Sequence, residues 1–119
     1  MQLMSFNVLK SVREELEARL GVPCRVEVPS ERPAQFTTVE RTGGDYSRGV
    51  DRPNLAVQCW AGSMAEAYAL ALAAREVLVN LPESIPSVCK STVESIYDFP
   101  DPDSDMRRYQ LSVYLVTRP

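Results

Sequence analysis

Leu55–Asn80 reads LAVQCWAGSMAEAYALALAAREVLVN, and a change of rhythm inside it decides the fold. Up to Trp60 the side chains alternate, with Leu55, Val57 and Cys59 on one face, as a half-buried strand requires. After Gly62 the period lengthens. Ser63 and Glu66 are spaced as a capping box, in which the serine hydroxyl accepts a backbone N–H of the first turn and the glutamate reaches back. The spacing predicts a helix from Ser63 to about Asn80, with Pro82 just beyond it. Ala67, Leu70, Ala71, Ala74, Val77 and Leu78 form its core face. A strand that turns at once into a capped amphipathic helix is a sheet with a helix laid over it.

The flanks extend this layer. Upstream, Val8, Leu9, Val12, Leu16 and Leu20 recur at helical spacing within Phe6–Leu20, and Gly21 and Pro23 stop the run. Cys24, Val26 and Val28 alternate with charged residues as a short strand that ends at Pro29. Phe36–Thr42 is rich in β-branched residues and reads as a second strand. GGDYSRGVDRPN follows, a polar loop over about residues 43–53, and loops of that length in compact domains are often functional. Downstream, Val88–Asp98 and Arg107–Arg118 read as two long strands joined by a hairpin tip at about 98–107. The order α-β-β-β-α-β-β in one 119-residue domain is an α+β fold: a mostly antiparallel sheet with two helices packed on one face.

Composition narrows the function. The chain is 45% hydrophobic and 24% charged with a net charge of −3, which fits a folded domain and gives no basic face for DNA phosphates. No specific nucleic-acid binding is therefore expected. The N-terminal stretch has charges throughout and no apolar h-region, so it does not read as a secretory signal. The apolar run Tyr68–Ala74 is too short to span a bilayer, and no membrane association is expected. Cys24, Cys59 and Cys89 are odd in number, far apart and all in strand-like runs, which predicts reduced, buried thiols in a cytosolic environment. The chain contains no histidine. That removes imidazole acid–base chemistry, His-activated nucleophiles and His-ligated metals. No cofactor, metal or catalytic residue is expected.

Two motifs invite chemistry and do not complete it. In YDFPDPDSDMRRY (Tyr97–Tyr109), Asp101, Asp103 and Asp105 alternate as the first ligands of an EF-hand loop do. That loop then needs a glycine and a bidentate glutamate, where this chain has Met106 and Ser112. Prolines, aspartates and a serine between two strands read instead as a turn. Gly44 and Gly49 bracket four residues like a P-loop, but Val50 and Asp51 stand where lysine and serine or threonine are required. Arg41, Arg48 and Arg52 in this loop suit an acidic partner surface or plain solvation.

The second helix carries more apolar surface than one face needs. Met64, Tyr68, Leu72 and Val79 form a shoulder beside the core face, widening the apolar arc well past the ~100° of an ordinary surface helix. Either the first helix and a loop cover this shoulder or another subunit does. Strict alternation along the final hairpin puts Cys89, Val93, Tyr97, Leu111, Val113 and Leu115 on the core side. It leaves Val88, Lys90, Thr92, Glu94, Ile96, Gln110, Ser112, Tyr114 and Val116 outside, an apolar and polar mixture typical of interfaces.

TTVERTGG with its following arginine-rich loop, LAVQCWAGSMAEAYALA and YDFPDPDSDMRRYQLSVYLVTR together resemble the tail terminator (tail-completion) proteins of long-tailed phages and prophages. The resemblance runs from about Phe6 onward. It implies an α+β subunit that forms a ring, commonly a hexamer, on the head-proximal end of the tail tube. There the ring stops tube elongation and offers a docking surface for head-completion proteins. It implies assembly in the host cytoplasm followed by residence in the virion, and it carries no catalytic residues. On this reading Met64, Tyr68, Leu72, Val79, Ile96, Tyr114 and Val116 are candidate subunit contacts. Arg41, Asp45, Tyr46, Arg48, Arg52, Asp101, Asp103, Asp105, Arg107 and Arg108 are candidate contacts to tube or head partners. A head–tail connector or other minor tail component is the alternative within virion assembly. A small ligand-sensing regulatory domain, or a small enzyme using carboxylates or cysteine, is the alternative outside it.

Overall fold

A computed structural model describes residues 6–119. Two helices, α1 (Val8–Leu20) and α2 (Met64–Val79), lie on one face of a five-stranded sheet built from β1 (Cys24–Arg25), β2 (Phe36–Ser47), β3 (Val50–Ala61), β4 (Val88–Asp98) and β5 (Arg107–Thr117). The strand order is β1-β2-β3-β5-β4, antiparallel throughout except for the short β1–β2 pair. A single helical turn, α3 (Leu81–Ser84), follows α2 with Pro82 in its first turn, where a missing N–H costs nothing. The α+β class and the two-helix layer agree with the sequence reading.

The core forms where the alternating and helical patterns meet. Val12, Leu16, Leu55, Val57, Cys59, Leu78, Leu111 and Leu115 are among the residues buried in it. Asn7 caps α1 by accepting the Lys10 N–H, and Gly21, at φ 70°, ends it in the left-handed conformation. Glu17 ties β1 to that helix: its carboxylate accepts the Cys24 N–H at 3.0 Å and pairs with Arg25, contacts that hold it below the usual carboxylate range, the Cys24 bond first. At the start of α2 the Ser63 hydroxyl accepts the Glu66 N–H at 3.2 Å, as the capping box requires. The Glu66 carboxylate departs from the box: it accepts the Ser63 hydroxyl and the Gln35 amide rather than a backbone N–H.

The polar loop predicted at 43–53 is ordered strand. β2 and β3 pair as far as Ser47 and Val50, leaving Arg48 and Gly49 as a two-residue turn with φ 54° and 81°. Two successive positive φ values define the tight turn whose twist matches antiparallel strands, and glycine takes its second position at no steric cost. Gly44 is fixed for a second reason, since its φ is 109° and a Cβ there would lie 2.1 Å from the Arg52 carbonyl oxygen. The result is a β-arm, irregular only at Thr42, where the register shifts between Arg41 and Gly43.

Strict alternation also fails along β4. The register with β5 slips between Val88 and Lys90 and again between Val93 and Ser95, so Cys89 and Glu94 are bulged. Each bulge reverses the parity that follows. Val88 is buried and Cys89 exposed, the opposite of the expectation. Ile96 stands opposite buried Leu111 on the helix side, whereas Tyr97 stands opposite Gln110 on the outer face.

Candidate subunit interface

The outer face of the sheet is anchored rather than bare. Trp60, on the face away from the helices, stacks on Phe36 at 5.3 Å and is 1% exposed. The tip between β4 and β5 folds back over it: the Arg108 guanidinium lies 4.7 Å from the Trp60 ring and 4.1 Å from the Phe99 ring, between the two aromatics. Arg108 also donates to the Phe99 and Pro100 carbonyls at 2.7 and 3.1 Å. Arg32, from the β1–β2 connection, reaches the same ring at 5.3 Å and pairs with Asp101 at 3.0 Å.

Asp101 is the latch of this tip. Its carboxylate accepts the Ser104 hydroxyl at 2.6 Å, the Asp103 N–H at 3.1 Å and the Arg32 guanidinium. These bonds, the Ser104 hydroxyl foremost, bring its pKa down to about 2. Asp103 and Asp105 are exposed. Arg107 lies 3.8 Å from Asp98. Among the described residues no group of three or more His, Cys, Asp or Glu is arranged to hold a metal ion. The aspartate-rich segment is thus a turn, as the prolines indicated, with one aspartate spent on holding it closed.

From Trp60 a row of polar side chains crosses the outer face. Thr38 accepts the Trp60 indole N–H at 3.1 Å and donates to Gln58 at 2.6 Å; Gln58 donates to Gln110 at 2.8 Å, and Gln110 donates to Tyr97. Among the described residues every buried side-chain nitrogen and oxygen has a partner. The sequence reading missed this row because Gln58 and Thr38 look like solvent-facing polar positions until four strands set them level. Tyr114 and Val116, half-buried, lie on this same outer face.

The α2 shoulder lies on the other face, over the β4 side of the sheet. Met64, Tyr68 and Val79 are 43%, 45% and 41% exposed, and Leu72 is half-buried. α1 packs on the opposite flank of α2 and does not cover them. Tyr68 leans on Tyr109 with ring centres 5.2 Å apart. Ile96 belongs with this shoulder, not with Tyr114 and Val116 as alternation alone had placed it. The candidate contacts therefore divide into a helix-side set at the β4 edge and an outer-face pair.

The remaining candidates sit on the β-arm. Arg41 makes a bidentate pair with Asp51 at 2.7 and 2.8 Å, a contact that raises its pKa and braces the arm internally. Asp45, Tyr46 and Arg48 are exposed, Tyr46 by 68%, and Arg52 is half-buried. The thiols expected to be buried are so at Cys24 and Cys59, where burial pushes both pKa values up. No helix among the described residues is long and apolar enough to cross a membrane.

No protein-family model and no curated protein matches this sequence. Among solved structures, the fold matches a chain from the virion of a native gene transfer agent particle, with TM-score 0.66 and 15% identity over 91% of this chain and 92% of that one. A second match, a crystal structure from Akkermansia muciniphila, has TM-score 0.48 and 16% identity over 92% of this chain and 47% of the other. The first of these likenesses agrees with a small α+β domain. At that identity the likeness is one of fold.

Proposed function

We propose that this chain is a tail terminator, a structural subunit that closes into a homo-oligomeric ring on the head-proximal end of a tail tube. The ring ends tube elongation and presents a surface to head-completion proteins. The observation that carries the reading is the exposed shoulder Met64, Tyr68 and Val79 lying along the outer edge of β4, which among the described residues pairs with no strand but β5. Apolar surface left open beside a strand edge is a surface that another chain covers. The likeness to a chain of a gene transfer agent virion supports the same reading from the side of the fold. The proposed work is association, with no bond-breaking step. The two buried cysteines are held as thiols by burial, and Asp101 is occupied by the tip. The test is assembly of the cognate tail tubes with and without the protein, imaged in negative stain. Tubes of controlled length capped by a ring are expected with it and overlong tubes without it; tube length indifferent to the protein would reject the reading.

A further inference from the structure

The sheet ends in two edges of opposite direction. Among the described residues β1 pairs only with Thr37 and Thr38 of β2, and Val26–Val28 flank Thr38–Glu40 across a recess. This leaves Arg41–Ser47 without an outer partner among the described residues, where β4 pairs with no strand but β5. β2 runs antiparallel to β3, β3 to β5 and β5 to β4. In a head-to-tail pair of copies, then, β4 of one meets β2 of the next running antiparallel, with the helices of both on the same side.

A closed sheet allows several registers. The side-chain matches that follow select the unstaggered one, in which copies related by rotation about an axis along the strands set each row of the sheet against the same row of the next copy. Val39, Val57, Leu111 and Ile96 make one row, which sets Ile96 level with the neighbouring copy's Val39, itself buried within its own subunit. Asp45 pairs with Arg52, and Lys90 with Val116, one step from the row of Asp51 and Thr117, which sets Lys90 level with Asp45. These are opposite charges, both exposed. The irregularities fall together as well, Thr42 on β2 and Glu94 on β4 lying beside the shared row of Arg41 and Val93. Bulges of this kind twist an edge away from indiscriminate pairing.

Tyr46 completes the match. Its row contains buried Thr117, and it lines a recess with Phe6, so its ring projects on the helix side. Ser91 of β4 donates to the Leu78 carbonyl at the end of α2, which places neighbouring Val79 above this end of the edge. The exposed tyrosine of one copy therefore arrives at the exposed shoulder of the other.

We infer that the β2 arm of one copy adds to the β4 edge of the next, pairing Arg41–Ser47 with Val88–Val93, with Asp45 against Lys90 and Tyr46 beside Cys89 under Val79. Such pairing is β-augmentation, in which the backbone ladder supplies affinity and the side chains supply register. It is a heterologous contact, which makes a ring when its rotation closes. The inference rests on the ring reading above and states which surfaces make the ring.

Cys89 supplies the test, being the exposed cysteine of the three. Tyr46→Cys, oxidised and run on a non-reducing gel, is expected to give a ladder of covalent multimers. The same substitution combined with Cys89→Ser is expected to give none. Dimers alone indicate a two-fold contact and overturn the head-to-tail pairing. Rings seen on tubes with no cross-link overturn the pairing and leave the terminator reading standing. A ladder without rings supports the pairing and rejects the terminator. Absence of both overturns both. A charge test gives an independent reading: Lys90→Asp is expected to weaken association about threefold by setting two aspartates level. Adding Asp45→Asn removes that repulsion without placing a lysine opposite Arg52, and this double variant is expected to recover most of the loss. No recovery in the double variant overturns the register.

Discussion

Trp60 is the single tryptophan of the chain, and it sits under the tip that Asp101 latches. Its fluorescence therefore reports the closed tip. Because the folded state holds Asp101 below its ordinary pKa of 3.8, the latch contributes fully above that value and is lost as pH falls through about 2. A change in Trp60 emission between pH 4 and 2 is expected, with Asp101→Asn showing no such transition; an unchanged profile in the variant would assign the transition to other carboxylates. Trp60→Ala removes a fully buried ring and the stacking platform for Arg108, and an unfolding free energy lower by ~3–5 kcal/mol is expected by denaturant titration. Gly44→Ala is a backbone test. At φ 109° with the Arg52 carbonyl in the way, the arm must distort. A loss of ~1–3 kcal/mol from the strained conformation alone is expected.

α2 tests the shoulder at the scale of an element. Tyr68→Asp changes a side chain that is 45% exposed, so folding is expected to survive, seen as an unchanged far-UV spectrum and a cooperative melt. On the proposed reading, ring formation on tubes is expected to be lost, since the charge then sits within the proposed contact. An assembling Tyr68→Asp protein would remove α2 from the contact. How far such elements were legible depended on how local their signals are. The Ser63–Glu66 cap, the stripe Val8, Val12, Leu16 and the core positions of α2 are written in neighbouring residues, and the structure reproduces them. The arm was read as a loop because Gly43, Gly44 and Pro53 carry turn signals, whereas pairing to β3 and the Arg41–Asp51 bridge hold the segment extended. Ile96 and Tyr97 exchanged faces because a bulge at Glu94 leaves no mark in a two-residue period. Trp60 was passed over for a related reason: what covers it comes from Arg32 and Arg108, distant in sequence.

Across the whole molecule the two hairpins point in opposite directions. The arm turn at Arg48 and Gly49 lies at the end of the sheet where Asp51 meets Thr117, and the tip of residues 99–106 lies at the other end, beyond Ala61 and Arg107. The molecule is 48 Å long, of the order of its 12-residue strands at ~3.3 Å per residue. In the proposed head-to-tail ring every copy points the same way, so all arm turns would gather on one rim and all tips on the other. The first rim carries Arg48 and Arg118, and the second carries the exposed Asp103 and Asp105. A terminator needs two unlike rims, because one meets the tube and the other the head. Arg48→Glu and the pair Asp103→Lys with Asp105→Lys are therefore expected to fail at different steps. One variant should cap nothing and leave overlong tubes; the other should leave tubes of normal length that do not join heads. Electron microscopy of tubes, combined with a head-joining assay on the same preparations, separates these outcomes. Both variants failing at the same step would mean that one rim does all the binding, and the ring's polarity would then carry no function.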